Sequence, residues 1–200
     1  VFSNINTSQN FKFFAASNKL FDEVFWFYAS ADSEEIDKYV KFNHVEGTWD
    51  IGTLARTAWV DLGVHENPRG AGAASSVEYI YSHESGQNDD GSAMDCFIES
   101  ADFDLGDGEQ FMFVDKLIPD VRLNDTSSDS TGSIDYVIKT RNFPLESLTT
   151  NSTSTVISST QQAFMRARGR QAVVRIQSDS ANLNWTLGDL RLNLRPDGRR

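Results

Sequence analysis

Four acidic residues around a glycine-containing turn are the best candidate for a metal site in the sequence. Asp102, Asp104, Asp107 and Glu109 fall within the run DFDLGDGE, and carboxylate oxygens of this kind can bind Ca²⁺. Their spacing differs from that of an EF-hand loop, in which ligands alternate ahead of the glycine and a glutamate follows six residues after it. We interpret the run as an acidic hairpin whose carboxylates are weak metal candidates, and we expect no cofactor.

Other catalytic signatures are missing from the sequence. His44, His65 and His83 are scattered, and none lies in a zinc-binding motif. The sequence contains no nucleophile elbow, P-loop or dinucleotide-binding motif. Adjacent carboxylates such as Glu34 and Glu35 would point to opposite faces of a strand, which disfavours a catalytic pair of sequence neighbours. We therefore predict that the chain is not an enzyme, while a glycosidase with two carboxylates roughly 5 to 9 Å apart stays open as an alternative.

The four tryptophans could serve as platforms for sugar rings, as in lectins. These residues are Trp26, Trp49, Trp59 and Trp185. Each of them falls within an apolar alternation, which favours packing in a core or in a subunit interface. A carbohydrate-binding β module for host attachment is therefore the alternative function, and it predicts that Trp59→Ala abolishes glycan binding.

The length and composition predict a folded chain with a large core. Its 200 residues include 14 Phe, 5 Tyr and 4 Trp, which is ample aromatic mass for a packed interior. No apolar run reaches the roughly 20 residues that span a bilayer, so we expect no membrane insertion. Cys96 is the only cysteine, and its place in an apolar alternation indicates a buried, unreactive thiol. The chain begins with Val1 inside a strand-like stretch, which favours a piece of a longer protein.

Positive charge is concentrated at the end of an acidic chain. The net charge is −11, yet residues 166–200 contain eight arginines against three aspartates. Such an acidic chain is not expected to coat DNA, because phosphate neutralisation supplies most of the affinity of nonspecific DNA binding. We predict that the arginines make contacts with neighbouring subunits or with an adaptor protein. The residues in question are Arg166, Arg168, Arg170, Arg175, Arg191 and Arg195.

The sequence of the first half of the chain predicts a series of short strands. Residues 22–52 contain three strand patterns separated by tight polar breaks, a spacing typical of one blade of a β-propeller. A competing interpretation makes Ser33 a helix N-cap and residues 35–42 a short helix, although the β-branched and aromatic residues there favour a strand. Residues 63–75 are predicted to form an exposed loop. The predicted strands are residues 11–16, 24–28, 36–42, 49–54, 57–62 and 76–81.

In the second half of the chain, apolar and polar residues alternate most clearly towards the end. Met165 and Ala167 point opposite to Arg166 and Arg168, so this strand has one apolar face and one arginine face. Residues 146–162 form a Ser/Thr-rich tract that is either an edge strand or a loop. The other predicted strands are residues 93–105, 110–114, 117–123, 134–139, 172–177 and 190–195, with breaks at residues 106–108, at Lys116 and at residues 124–132.

A break at Asp89-Asp90-Gly91 separates two predicted domains, residues 1–92 and 93–200. The predicted class is all-β. The first domain would be a partial β-propeller, consisting of its last blade or blades, and the second would be an antiparallel β-sandwich.

With these segments in place, the chain resembles the C-terminal part of a tail protein family of short-tailed bacteriophages, known as tail hub, nozzle or packaged-DNA stabilisation proteins. The likeness extends over nearly all 200 residues. The matching stretches are EVFWFYAS, EIDKYVKFN, GTWDIGTLARTAWVD, DDGSAMDCFIESADFDLGDGEQFMFVDKLIPDV, KTRNFP, RARGRQAVVRIQSD and WTLGDLRLNLRPDGRR.

The resemblance implies a structural virion subunit made in the host cytoplasm and located in the tail. It implies a homo-hexameric ring beneath the head-to-tail adaptor, in contact with other tail proteins, that retains packaged DNA and forms part of the channel for its ejection. Double-stranded DNA would pass through without sequence-specific binding, and the family has no catalytic residues to carry over. Because a closed propeller needs at least four blades, residues 1–92 can supply only the last one or two of them.

Overall fold

Strands dominate the computed structural model, which describes residues 3–74, 77–125 and 132–199. These residues form seventeen β-strands, paired antiparallel, and one short 3₁₀-helix, Thr7–Lys12. The predicted all-β class is confirmed, and none of the described sheets closes on itself. The chain divides into two compact units, Val1–Ser85 (unit 1) and Gly86–Arg200 (unit 2). The division precedes the predicted domain boundary at Asp89-Asp90-Gly91.

A four-stranded meander forms the first sheet of unit 1, with its strands side by side in chain order. Successive residues of a strand point to opposite faces, so Phe25 and Phe27 are buried on the inner face while Trp26 points outward. The turn at Glu46-Gly47 joins the last two strands, as predicted. The four strands are β1 (Phe14–Asn18), β2 (Glu23–Tyr28), β3 (Lys38–Asn43) and β4 (Thr48–Thr53).

A three-stranded sheet completes unit 1, with β6 (Arg69–Ala74) between β5 (Ala58–Val60) and β7 (Val77–Ser82). Arg56 is buried against this sheet, and its guanidinium lies 3.9 Å from the centre of the Tyr81 ring. A Cβ atom on Gly72 would lie 2.6 Å from the carbonyl oxygen of Ala55. The absence of a side chain at this position therefore lets the preceding segment lie directly on the strand.

Three predictions for the first half are wrong in part. Residues 63–75 are not one exposed loop, because the Gly- and Ala-rich stretch forms β6, where small residues accommodate Arg56. Phe11 and Lys12 belong to the 3₁₀-helix rather than to a strand, since Asn6 caps that helix by accepting from the Ser8 amide. The competing helix over residues 35–42 does not form, and β3 occupies most of that range. Ser75 and Ser76 lie outside the described residues.

Unit 2 contains three sheets. One has the order β14–β10–β17, the second has the order β13–β12–β15–β8 with β9 also on β15, and the third pairs β11 with β16. The strands are β8 (Cys96–Glu99), β9 (Phe103–Asp104), β10 (Met112–Ile118), β11 (Val121–Asp125), β12 (Ile134–Arg141), β13 (Thr149–Val156), β14 (Ala163–Gly169), β15 (Gln171–Ser178), β16 (Leu183–Leu187) and β17 (Arg191–Pro196).

One apolar core is shared by the first two of these sheets, and Leu183 of the β11–β16 pair is buried in it as well. Met112 and Met165 come from the β14–β10–β17 sheet, while Tyr136 and Ile138 come from β12 of the larger sheet. Alternation along β14 buries Met165 and Ala167 and leaves their neighbours outside, as predicted. Burial of this many large apolar side chains is the main force that holds unit 2 together.

In the second half of the chain, a predicted strand boundary is wrong where the strand contains a bulge. Lys116 does not separate two strands: it lies inside β10, where the pairing with β14 and β17 shifts between Val114 and Lys116. Such a bulge places an extra residue in the strand without ending it. The Ser/Thr-rich tract contains β13, an edge strand of its sheet. The turn at residues 106–108 forms with positive φ at Gly106 and Gly108. Of the predicted loop at 124–132, residues 126–131 lie outside the described part of the chain.

Candidate interaction surfaces

Four of the six arginines singled out from the sequence lie on one sheet, and a fifth follows that sheet directly in the chain. Arg166 and Arg168 alternate with the buried residues of β14, and Arg170 follows that strand. Arg191 and Arg195 alternate with partly buried leucines of β17. Since β10 pairs with both strands, the arginines converge on the outer face of the β14–β10–β17 sheet. We call this surface the arginine face.

Phenylalanine rings support several of these guanidinium groups. Phe113 of β10 is in register with Arg168 on one side and with Arg195 on the other, and the Arg195 guanidinium lies 4.8 Å from its ring centre. Arg168 and Arg170 lie 3.9 and 5.0 Å from the centre of the Phe111 ring. Cation–π contacts of this kind restrain a long side chain while its N–H groups stay available to an anion.

Among the residues that the structure describes, acidic side chains on or beside this surface pair with some of its arginines. Asp197 accepts from Arg168 Nε at 2.5 Å, while Arg191 lies 3.4 Å from Asp120 and 3.5 Å from Asp189. The surface is therefore basic, with a few internal ion pairs, in a chain whose net charge is −11. A surface of this kind is complementary to an acidic one.

Arg175 is separated from the other five arginines. It belongs to β15 in the five-stranded sheet, where its guanidinium lies 3.6 Å from the centre of the Phe97 ring. Its Nε donates to Gln177 at 2.6 Å, and Glu99 lies 3.6 Å from its Nη1. The hydrogen bond from Lys139 to Glu99 lowers the pKa of that carboxyl. Arg175 is thus held in a polar network of its own sheet.

Unit 1 carries a different surface, which is aromatic. On the outer face of the β1–β4 sheet, Trp26 is 41% exposed, Trp49 is 65% exposed and Ile51 is 64% exposed. The rings of Trp26 and Trp49 lie 5.8 Å apart and are stacked, and Phe42 lies 4.6 Å from Trp49. We call this surface the aromatic face. An exposed apolar patch of this kind marks a site of interaction more often than does a single exposed apolar residue.

The other two tryptophans are placed differently. Trp59 lies on the inner side of the β1–β4 sheet, 5.6 Å from Phe25 and 5.8 Å from Phe27, and its Nε1 donates to the Ser17 carbonyl. Trp185 packs against the core of unit 2, and its Nε1 lies 3.1 Å from the sulfur of Cys96. Trp59 is thus engaged in packing between the sheets of unit 1. The Cys96 thiol is half-buried rather than fully buried, because β8 is an edge strand.

The acidic residues of the 102–109 segment are dispersed among other partners. Asp102 pairs with Arg141, and Glu109 lies 3.7 Å from Arg199. Asp104 lies in β9 and Asp107 in the turn that follows. Among residues 3–74, 77–125 and 132–199, no group of three or more His, Cys, Asp or Glu side chains is arranged to hold a metal ion.

One polar cluster in unit 1 brings two carboxylates together. Asn18, which is fully buried, donates from Nδ2 to Glu84 at 3.0 Å and to Glu23 at 3.5 Å. Glu23 also accepts from Lys41 at 2.8 Å. Partial desolvation, together with the charge of Glu23, raises the pKa of Glu84. Desolvation opposes the charge on Lys41, but its bond to Glu23 outweighs this and raises the Lys41 pKa.

The residues of this cluster border neither of two shallow surface cavities. These cavities, of about 210 and 300 Å³, are lined mainly by residues of β10 and β17 and of β1–β3. The cluster instead connects β1, β2 and β3 with the segment after β7, and its hydrogen bonds account for the burial of Asn18.

The six-residue 3₁₀-helix is the longest helix in the described part of the chain, and no helix there has the length and apolarity that a membrane span requires. No protein-family model and no curated protein sequence matches this chain significantly.

Proposed function

We propose that this chain is a structural subunit of a bacteriophage tail, of the tail hub or nozzle class, and that it assembles into a ring. The ring, of six copies, would lie beneath the head-to-tail adaptor, retain packaged DNA and form part of the channel for its ejection. The proposal combines the resemblance described above with the surfaces of the structure. The work of such a subunit is mechanical, and the proposal assigns it no catalytic role.

The observation that carries the proposal is the arginine face. Arg166, Arg168, Arg191 and Arg195 occupy one sheet surface of a chain that is otherwise acidic, and Arg170 lies directly beside it in the chain. Opposite charges on separate surfaces of one molecule favour attachment of the basic surface of one copy to an acidic surface of the next. The aromatic supports at Phe111 and Phe113 restrain two or more of these side chains before contact, which reduces the entropy lost on association.

The sheet arrangement supports the finer fold proposed for each unit. In unit 1 the meander β1–β2–β3–β4 has the strand order of a propeller blade, and β5–β7 lies next to it as a second, shorter sheet. In unit 2, two sheets share one core as in a β-sandwich. We therefore propose that unit 1 supplies the last blades of a β-propeller and that unit 2 is a sandwich.

The net charge agrees with a conduit for DNA. A channel wall that is mostly acidic repels the phosphate backbone and lets the duplex slide, because favourable phosphate contacts would retain it. The arginine face would then point towards protein neighbours. If the same arginines contacted the duplex instead, DNA binding by the isolated protein would weaken steeply with salt.

The double variant Arg166→Glu/Arg195→Glu tests the proposal. Both residues are exposed and lie on different strands of the arginine face. We expect the wild-type chain to self-associate in sedimentation-velocity experiments and the variant to shift to the monomer, because two cations that meet an acidic surface have been replaced by anions.

The matched control is Lys19→Glu/Arg122→Glu, which makes the same change in net charge on residues outside the arginine face. We expect this variant to assemble like the wild type. An unchanged distribution of species for the arginine-face variant, or a wild-type chain that stays monomeric at about 100 μM, well above the micromolar range of a weak specific contact, would contradict the proposal.

A carbohydrate-binding β module is the second candidate, and the aromatic face is what favours it. Trp59 is engaged in packing, so the rings available to a sugar are those of Trp26 and Trp49. Reproducible binding on a glycan array that is lost in Trp49→Ala and kept in Arg166→Glu/Arg195→Glu would support this function over the structural one.

A further inference from the structure

We propose that the hydrogen-bonded pair of Arg56 and His83 is a pH-sensitive switch in unit 1. At neutral pH the pair holds the β5–β7 sheet in place, and protonation of His83 at acidic pH loosens that sheet. The switch lies within unit 1 and requires no contact with another copy or another protein. It therefore goes beyond the proposed function and does not depend on it.

The hydrogen bond between the two side chains fixes the protonation state of the imidazole. Arg56 Nε donates to His83 Nε2 at 3.0 Å. A guanidinium has N–H donors and no acceptor, so Nε2 must present its lone pair. His83 is therefore neutral in this arrangement, with its proton on Nδ1. A protonated imidazole carries N–H groups on both nitrogens, so protonation removes the acceptor and places a second cation beside the guanidinium.

Arg56 is enclosed by unit 1 and has little space in which to turn aside. It is 8% exposed, its guanidinium lies 3.9 Å from the centre of the Tyr81 ring, and its Nη1 donates to the Ala55 carbonyl at 2.8 Å. A Cβ atom on Gly70 would lie 2.9 Å from both Arg56 Cδ and His83 Nε2, so both side chains lie directly on the backbone of β6. Two cations so close together repel more strongly in such a partly desolvated site than in water.

Trp59 connects His83 to the other sheet of unit 1. The ring centres of Trp59 and His83 lie 4.6 Å apart. The same indole lies 5.6 Å from Phe25 and 5.8 Å from Phe27, and its Nε1 donates to the Ser17 carbonyl. A displacement of His83 therefore disturbs the packing of the β5–β7 sheet against the β1–β4 sheet.

Glu84, which follows His83 in the chain, carries a carboxylate that loses its charge under the same conditions. It accepts from Asn18 Nδ2 at 3.0 Å. Partial desolvation raises the pKa of Glu84, so this carboxylate is neutralised earlier than an ordinary glutamate as the pH falls. Acidification thus removes a negative charge next to His83 while it adds a positive one. The other titratable groups on the elements packed around the pair are Glu23, Tyr39, Lys41, Asp61 and Tyr81.

The direction of the pH dependence follows from the hydrogen bond. An unperturbed histidine titrates near pH 6.5. The closed arrangement holds the neutral imidazole, whereas an opened sheet leaves His83 able to take up a proton. The contribution of the pair to stability is therefore fully present above about pH 6.5 and is lost progressively as the pH falls below that value. One such group changes the opening equilibrium by at most about tenfold per pH unit.

Hydrogen–deuterium exchange of the full chain tests the switch, with mass spectrometry of β5, β6 and β7 at about pH 7.5 and about pH 5. His83→Gln is compared with the wild type at each pH, so that the intrinsic pH dependence of exchange cancels. Glutamine does not titrate, and its Oε1 can accept from Arg56 Nε. We expect equal protection at the higher pH, and exchange about fivefold or more faster in the wild type than in His83→Gln at the lower pH.

Two further variants complete the test. His65→Gln removes an exposed histidine, and it should keep the acceleration that the wild type shows at low pH. Arg56→Gln removes the cation, and its neutral amide can either donate to Nε2 or accept from it. The acceleration should be absent in Arg56→Gln, which also provides the decisive comparison if His83→Gln fails to fold as judged by circular dichroism.

Two outcomes would overturn the switch. One is exchange in β5–β7 that is as fast in His83→Gln as in the wild type at low pH. The other is an acceleration that persists in Arg56→Gln, or that is lost only in Glu84→Gln, because the response would then belong to the carboxylates around Asn18. The oligomeric state is measured separately by sedimentation velocity, so failure of the switch leaves the proposed function untouched.

Discussion

The guanidinium of Arg168 lies 3.9 Å from the centre of the Phe111 ring and donates from Nε to Asp197 at 2.5 Å. The Phe111 amide donates to the Gly198 carbonyl, and the Phe111 carbonyl accepts from the Asp197 amide. These backbone hydrogen bonds hold the Phe111 ring, the Arg168 guanidinium and the Asp197 carboxylate next to one another. Arg168 is consequently restrained from two directions. This arrangement shows how the arginine face combines exposure with a defined side-chain geometry.

Phe111→Leu should reduce the stability of the folded chain. The substitution keeps an apolar side chain but removes the ring on which Arg168 and Arg170 lie. Exposed cation–π contacts are worth about 0.5–1 kcal/mol each, so we expect a decrease of about 1 kcal/mol in the free energy of unfolding measured with urea.

Phe164→Leu is the matched control for that measurement. Phe164 lies on the same face and is 73% exposed, and no cation lies over its ring among the residues that the structure describes. A change within about 0.5 kcal/mol is expected, as for most surface substitutions. Equal effects of the two substitutions would mean that the arginines gain nothing from Phe111.

Tyr136→Phe should stabilise the chain at neutral pH. The Tyr136 side chain is buried in the core of unit 2, and its hydroxyl has no hydrogen-bond partner within the described ranges. Burial of a hydroxyl without a partner costs about 1–3 kcal/mol in proteins. We expect the free energy of unfolding to rise by about 1 kcal/mol. A decrease would show that the hydroxyl is bonded in solution.

The same residue predicts a loss of stability at alkaline pH. Burial, with a smaller contribution from Asp120, raises the pKa of Tyr136 from 10.0 to about 12. Above pH 10 the unfolded chain therefore releases the phenol proton while the folded chain retains it, so stability falls as pH rises towards 12. The slope from one such group is at most about 1.4 kcal/mol per pH unit.

Urea unfolding of wild type and Tyr136→Phe at pH 8, 10 and 11 isolates this contribution, because other groups titrate equally in both chains. The stability advantage of Tyr136→Phe should grow across the series. A constant difference would show that the Tyr136 pKa is the same in the folded and unfolded states.

The alternation of apolar and polar residues predicts individual strands well, but it does not predict which strands pair with each other. Residues 163–169 alternate so regularly that the buried positions Met165 and Ala167 follow directly from the sequence. In the sheet, β10 lies between β14 and β17. This strand order depends on contacts between distant segments, which the periodicity of the sequence does not encode. Arg175 illustrates the limit, since it follows the same alternation as Arg166 yet belongs to another sheet.

Small residues and bulges account for most of the strand errors. The stretch containing Gly70 and Gly72 has the composition of a loop, but it forms a strand because Arg56 fills the space that side chains would occupy. The charged Lys116 predicts a break between two strands, although a bulge accommodates it within β10. The exposure of Trp26 could not be predicted from the uninterrupted apolar run at residues 24–28, which hides its period of two.

Gly72→Ala should destabilise unit 1. The added Cβ would lie 2.6 Å from the Ala55 carbonyl oxygen and 3.1 Å from Arg56 Nη1, so the backbone or the arginine must move. Overpacking of this kind costs about 1–3 kcal/mol. We expect faster hydrogen–deuterium exchange in β5, β6 and β7, measured by mass spectrometry.

Gly63→Ala serves as the control for Gly72→Ala. Its added Cβ would meet a single atom, the Asp61 carbonyl oxygen at 3.9 Å, which is an ordinary van der Waals distance. Exchange rates in the three strands should match those of the wild type. Equal protection in both variants would mean that Arg56 can leave its place against Gly72 at little cost.

Glu84→Gln should stabilise the chain slightly at pH 7 and not at low pH. The folded state raises the pKa of Glu84 above 4.5 through partial desolvation and the charge of Glu23, so the ionised carboxylate opposes folding at neutral pH. Glutamine keeps an oxygen that accepts from Asn18 Nδ2 and removes the charge. Because Glu84 is an exposed residue, solvent screening limits the gain to a few tenths of a kcal/mol.

The difference in stability between Glu84→Gln and the wild type should change with pH in a defined direction. A raised folded-state pKa means that protonated Glu84 favours the folded chain below pH 4.5, and that this contribution disappears as pH rises through the folded-state pKa. The stability advantage of Glu84→Gln in urea unfolding should therefore be present at pH 7 and absent at pH 4. Glu78→Gln, which removes one carboxylate from the exposed face of β7 opposite Tyr79 and Tyr81, is the matched control for the change in net charge. An advantage of Glu84→Gln that grew towards low pH would instead indicate that the Asn18–Glu84 hydrogen bond lowers the pKa of the carboxylate by more than desolvation raises it.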